Sequence, residues 1–188
     1  MLIARTLREA DIYVALTRAQ AEPEPGIELG PAPVFEVGVN LAEGPDAWTY
    51  ASPVGEITIP YSSERSATTS GAHWGLGQSQ LVDAAEWTRV GQLHWDRGTE
   101  ADMAYDGEPG QERYYIELNF ELAAEAIAEA IKFLPDGADR VPDSAIWTKY
   151  GADILADDPN VVTRARLEDD LETYRGTLAD FRALYSDS

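Results

Sequence analysis

The sequence predicts an α+β fold: an antiparallel sheet with helices packed on it and a long amphipathic helix at the C-terminal end. Three observations carry this. Short segments of period-two alternation, "PVFEVGVNL" and "GEITIPY", lie close together in the chain. Segments of three- and four-residue period follow, in "NFELAAEAIAEAIKFL" and from Leu167 to Tyr185. The strand–helix–strand alternation that builds a doubly wound parallel sheet is missing. With 188 residues, 44% of them apolar, the chain suffices for one core. The expected organisation is a single α+β domain over residues 1–157, with a long central loop at 62–80, and a C-terminal helical extension over 158–188.

The elements follow in order. Thr6 and Glu9 have capping-box spacing, so a first helix is expected from Leu7 to about Gln20, stopped by "AEPEPG". In "PVFEVGVNL", Phe35, Val37, Val39 and Leu41 share one face, as a half-buried strand requires. "AEGPD" turns the chain and "AWTYA" returns beside it. "GEITIPY" adds a strand with Ile57 and Ile59 inward and Pro60 at its end. Residues 62–80 show no periodicity and are expected to form the loop. "AEWTRVGQLHW", "ADMAY" and "RYYIEL" are expected as further strands, with Trp87, Val90 and Leu93 as core positions.

Asn119 is the expected cap of the next helix. Phe120, Ala123, Ile127, Ala130, Ile131 and Leu134 form its stripe, and Glu129 and Lys132 form a surface pair. "AIWTKY" is expected as a closing strand, with Trp48, Trp87 and Trp147 in the core. Asp158 then caps a terminal helix, with Pro159 in its first turn. Leu167, Leu171, Tyr174, Leu178, Phe181 and Tyr185 face one way along it. That stripe could cover the sheet, form a homodimer through the C-terminal helix, or dock on another protein.

Charge is the strongest global signal. The chain carries 34 acids against 14 bases, a formal charge of −20. Such a surface repels nucleic-acid backbones and anionic membranes and attracts a basic protein partner. It also suits solubility in a demanding environment. No apolar run approaches a bilayer span, and the opening segment is too charged for a signal-peptide core, so a cytoplasmic protein is expected. With no cysteine, thiolate sites and disulfides are excluded.

Catalytic signatures are weak. "TSGAHWGLGQ" lacks the Gly-Lys-Ser/Thr of a phosphate loop, and Gln80 breaks a dinucleotide fingerprint. His73 and His94 are the only histidines, and Ser62, Ser63, Ser66 and Ser79 sit in no nucleophile elbow. Asp157-Asp158 and Asp169-Asp170 abut, and adjacent helix positions do not face one another. No catalytic, cofactor or metal residue is therefore assigned. A hydrolase or metal enzyme built on His73, His94 and nearby acids remains the enzymatic alternative, and a structural or assembly protein the third. Aromatics among carboxylates suit a protein-binding rim instead. The residues expected there are Trp74, Trp95, Asp96, Glu100, Asp102, Tyr105, Asp106, Glu108 and Glu112.

The succession "TLREADIYVALTRAQ", "VFEVGVNL" and "AWTYASPVGEI", with the later "NFELAAEAIAEAIKFL" and "DRVPDSAIWTKY", resembles the small α+β immunity proteins of bacterial polymorphic toxin systems that guard against deaminase or nuclease toxins. In that family a late helix and a proline-containing turn lead into a final strand with tryptophan, the arrangement that Pro142 and Trp147 match. The resembling pieces cover about half the chain. The stretch from Ser62 to Gln111 is longer than the family pattern, and the helix after Asp158 is additional. The resemblance implies a stoichiometric inhibitor without enzymatic activity, covering the active site of a basic, nucleic-acid-targeting toxin with carboxylates placed where phosphates would bind.

Overall fold

Alternation and turns do build a sheet. In the computed structural model, which describes residues 1–21 and 40–185, four strands run in the order β1-β4-β3-β2: β1 (Leu2–Ile3), β2 (Asn40–Glu43), β3 (Ala47–Ser52) and β4 (Gly55–Pro60). The β2–β3 and β3–β4 pairs are antiparallel, and β1 joins β4 in parallel. The fold class is thus α+β, as the sequence predicts. Ile57 and Ile59 are fully buried, and Tyr50 is buried opposite Ile57. Phe35, Val37 and Val39 lie outside the described residues, while Leu41 falls in β2.

Contacts divide the chain into two units, Met1–Val82 and Asp83–Ser188. In the first, α1 (Leu7–Ala21) and α2 (Tyr61–Ser70) pack against β4. The Thr6 hydroxyl accepts from Glu9 N at 3.1 Å, one arm of the expected capping box. The other arm shifts by one residue: the Glu9 carboxylate takes Arg5 N at 2.6 Å and pairs with the Arg5 guanidinium. Helix α2 corrects part of the expected 62–80 loop. Pro60 supplies the extended cap, and Gly71, in the left-handed region at φ 69°, ends the helix. Ser63, Thr68 and Thr69 bond their hydroxyls back to the carbonyls of Pro60, Glu64 and Arg65, so polar residues that suggested a loop are accommodated in a helix.

The second unit is helical, and here several strand expectations are corrected. "AEWTRVGQLHW" and the first four residues of "ADMAY" belong to one helix, α3 (Ala84–Ala104), with Tyr105 at its C-terminal cap. Asp83 and Glu86 form a complete capping box at its start. Trp87, Val90, Gly91, His94 and Gly98 are buried at three- and four-residue steps, a helical period that no strand could bury together. "RYYIEL" is the first part of α4 (Gln111–Ile131), which extends the late helix to a start before Asn119. Asn119 is consequently buried mid-helix and caps nothing.

"AIWTKY" is no closing strand. A 3-10 turn (Asp143–Ala145) leads to Thr148, whose hydroxyl accepts from Gly151 N at 2.8 Å and caps α5 (Lys149–Asp157). Of the three expected core tryptophans, Trp87 is fully buried and Trp48 half-buried against Tyr61, but Trp147 is 47% exposed. The terminal helix α6 (Arg164–Leu184) starts later than Asp158, with Thr163 at its cap and Pro159 in the preceding turn. Its stripe packs on α4, where Leu178 and Phe181 meet Ile116 and Phe120. Close approach of α3 to α4 depends on glycine: a Cβ on Gly91 would lie 2.8 Å from Ile127, and one on Gly98 2.8 Å from Phe120.

Candidate functional site

Helices α3 and α6 both pack on α4, and a cleft of about 420 Å³ opens on their flank. Thr88, Gln92, Trp95 and Asp96 line it from α3, and Arg166, Asp169, Asp170, Thr173 and Tyr174 from α6, with Val161 at one end. The α3 residues fall at i, i+4, i+7 and i+8, and the α6 residues at i, i+3, i+4, i+7 and i+8, so each set forms one helix face. Trp95 and Tyr174 stack between the helices, with ring centres 4.3 Å apart and planes 13° from parallel. Phe120 of α4 lies 5.4 Å from the Trp95 ring and backs the stack.

Three carboxylates and one guanidinium line the cleft. Arg166 Nε donates to both Asp170 oxygens, at 2.9 and 2.8 Å. This pair leaves Asp96 and Asp169, both exposed, and neither forms an ion pair among the described residues. Burial, followed by the Asp170 and Asp96 charges, pushes the Tyr174 phenol well above its ordinary value, while Arg166 opposes them. The phenol therefore stays neutral, and negative charge dominates around its ring. Exposed carboxylates such as Asp96 and Asp169 can accept hydrogen bonds from a cation.

The residues expected at a binding rim are divided by the structure. Trp95 and Asp96 line the cleft. Glu100 is exposed one turn beyond Asp96 on α3, and Asp102 is half-buried near the end of that helix. Tyr105, Asp106 and Glu108 form the following turn: the Tyr105 hydroxyl donates to Glu108 O at 2.6 Å, and Glu108 N donates to Asp106 at 3.0 Å. The Tyr105 ring packs on Phe181 and Tyr185. Glu112 stands exposed in the first turn of α4, where an acid suits the helix dipole.

Trp74 differs. It is buried in the first unit with the Arg8 guanidinium 5.9 Å above its ring, so it offers no surface. Its loop is fastened to the residues that lead into α1: Thr6 donates to His73 O at 3.3 Å, and Arg5 donates to Gly77 O at 2.6 Å. Gly75, at φ 111°, lets the backbone pass Arg5, where a Cβ would come within 2.5 Å.

The groups considered for catalysis have structural positions. His94 is 1% exposed, and its Nδ1 meets Asn119 Oδ1 at 2.9 Å. Asn119 spends its amide N–H on Tyr115 O, so its oxygen accepts and the histidine donates. His73 belongs to the first unit and His94 to the second. The buried Ser79 hydroxyl accepts from Leu81 N and Val82 N and shapes a turn.

A second carboxylate cluster lies at the start of α3. Asp83 Oδ2 accepts from Trp147 N, Thr148 N and the Thr148 hydroxyl, at 3.1, 3.0 and 2.7 Å, while Oδ1 accepts from Glu86 N at 3.0 Å. Glu86 is buried beside it, and burial, with the Asp83 charge, pushes its carboxyl up to about 7.

Sequence reasoning found Trp95 and Asp96 but missed Arg166, Asp169, Asp170 and Tyr174 as their neighbours. The signal was available once 84–104 is taken as a helix, because the two sets then share one spacing. Adjacent acids on a helix do not face each other, yet Asp169 and Asp170 both border the cleft, since a helix face spans more than one position. No protein-family model, curated protein or solved structure matches the chain.

Proposed function

We propose that this chain is a non-enzymatic, acidic protein that binds and inhibits a positively charged protein, acting as an immunity protein that covers the active site of a basic, nucleic-acid-targeting toxin in the cytoplasm. The supporting observation is the α3–α6 cleft, where three carboxylates surround an aromatic stack. A protein groove that grips phosphates carries arginine and lysine at its surface, and such side chains meet complementary charge here. The overall charge of −20 favours the same encounter over distance. Charge complementarity chiefly raises the association rate and selects the partner.

The test begins with the immobilised chain and a lysate of its native organism, at low and at raised salt. The expected result is one basic protein, retained at one-to-one stoichiometry, whose activity on nucleic acid falls as the chain is added and whose association slows with salt. A retained protein that keeps full activity in the complex would overturn inhibition. No helix among the described residues is long and apolar enough to cross a membrane.

A further inference from the structure

We propose that residues 142–161 form a flap operated by a proton: Glu86 latches it to α3 while protonated and releases it when ionised. The chain leaves and rejoins the helical unit at one pinned base. There Val141 N donates to Val162 O at 3.1 Å, Arg164 N donates to Asp139 O at 2.8 Å, and Arg140 and Thr163 form a β-bridge. Val141 and Val162 are both buried. Among the described residues 142–161, only Ala145 and Gly151 are buried. Helix α5 therefore buries little apolar area. The Asp83 carboxylate fastens its approach to the start of α3, through Trp147 N, Thr148 N and the Thr148 hydroxyl. A segment with few buried apolar groups and a pinned base can open without the rest of the fold.

The latch turns on a count of hydrogens. The Thr148 hydroxyl has one, which it gives to Asp83 at 2.7 Å, and its oxygen accepts from Gly151 N. Glu86, buried beside it, also bonds the Thr148 side chain. An ionised Glu86 thus competes with Asp83 for one hydrogen and sets a second negative charge against it. A protonated Glu86 brings its own hydrogen, which the second lone pair of the Thr148 oxygen can accept, and the repulsion is gone. Burial, followed by the Asp83 charge, pushes the Glu86 carboxyl up to about 7 with the flap closed. Opening admits water and returns it toward 4.5. The closed flap is therefore favoured in full below about 4.5, and that preference is lost as pH rises through about 7.

Charged groups on the packed elements face other partners. On α3, Arg89 bonds Gln92. On the flap, Lys149 and Asp153 pair at 2.5 Å in solvent, and Tyr150 beside them is half-buried. Helix α4 lies antiparallel to α3, since Gly91 meets Ile127 and Gly98 meets Phe120, and at its end Glu129 pairs with Lys132. Asp83 is the charge that acts on Glu86.

The test is amide hydrogen exchange of the full chain, read by NMR from pH 5 to 8 and corrected for each amide's intrinsic rate. The amides of Trp147, Thr148, Gly151 and Ala152 should share one opening constant. It should exceed that of Ile127 and Ala130 in α4 and respond little to urea below the unfolding range. Protection of the four should fall about tenfold per unit between pH 5 and 7, about 100-fold in all, and level off by pH 8. The Glu86 carboxyl carbon should titrate with its midpoint where this fall ends. Glu86→Gln should keep the four amides protected and nearly level across the range. An opening constant and urea dependence shared with Ile127 and Ala130 would mean that α5 leaves only when the whole unit unfolds, and would overturn the flap. Level protection in wild type, a Glu86 midpoint near its ordinary 4.5, or a fall that persists in Glu86→Gln would overturn the latch. Wild-type exchange and titration decide both points without the variant, should it fail to fold.

Discussion

Helix α3 carries two carboxylate clusters that differ in almost every physical respect. At its N-terminus, Asp83 is fully buried and accepts four hydrogen bonds, three of them on one oxygen and from the segment leading into α5. Three turns later, Asp96 is exposed beside Asp169 and makes no ion pair among the described residues. The first cluster is consumed in holding α3 to α5. The second retains its capacity to accept from an outside donor. In a chain with 34 acids, composition cannot tell these apart; satisfied geometry can.

The contrast breaks most sharply at Asp83. Asp83→Ala leaves two backbone N–H groups of the α5 approach and the Thr148 hydroxyl without their acceptor, and removes the α3 cap. Each buried unpaired donor is costly, so the loss is expected at about 3–5 kcal/mol. Urea denaturation followed by circular dichroism measures it. A loss below about 1 kcal/mol, the worth of an ordinary cap, would mean that Asp83 does not fasten α5.

Glu86 tests the same cluster through pH. Its carboxyl titrates near 7 when folded, against an ordinary value of 4.5. Between those values the folded chain binds more protons than the unfolded one, so stability falls as pH rises. The contribution is fully present below about 4.5 and lost as pH passes through about 7, a change of roughly 3 kcal/mol. Glu86→Gln imitates the protonated carboxyl and should remove this component. The difference between wild-type and variant stability, measured from pH 5 to 8, isolates it from the other acids. A flat difference would place Glu86 in a far wetter setting.

Gly151 sharpens the point because two effects oppose each other there. Alanine is the better helix former by about 1 kcal/mol. A Cβ at Gly151, however, would lie 2.3 and 2.5 Å from the two Asp83 oxygens, and that carboxylate is held by its four donors. Sterics should win, and Gly151→Ala is expected to destabilise by about 2 kcal/mol in the same urea assay. A stabilised variant would show that the α3–α5 junction has room to give.

How much of this was legible beforehand depends on which signal each element carries. Ile57 and Ile59 alternate around a clear turn, and the strand they imply is present. Leu167, Tyr174, Leu178 and Phe181 keep helical spacing, and the helix they imply is present. The segment 84–119 misleads because its inward positions include Gly91, His94, Gly98 and Asn119, residues that do not look like a core. Glycine there serves helix proximity, and the polar pair bonds to itself. Asp83 and Glu86 had capping-box spacing like Thr6 and Glu9, so the start of α3 was marked in the sequence. The cleft was only half legible: Trp95 with Asp96 stood out, but their pairing with Arg166, Asp169 and Tyr174 needs the tertiary arrangement of α3 and α6 on α4.

The smallest expected stability effect lies in the cleft, and it is the most informative for function. Asp96 and Asp169 are exposed and unpaired among the described residues, so neither contributes a buried hydrogen bond. Converting both to asparagine removes two like charges from one rim. Stability in urea should stay within about 0.5 kcal/mol of wild type or rise slightly. Association with the proposed basic partner should slow, and the remaining rate should depend less steeply on salt. Carboxylates retained for folding would do the reverse: the double variant would unfold earlier while its encounter rate held. A substantial stability loss would therefore move the cleft into the same class as the Asp83 junction and remove its acids from the proposed binding surface.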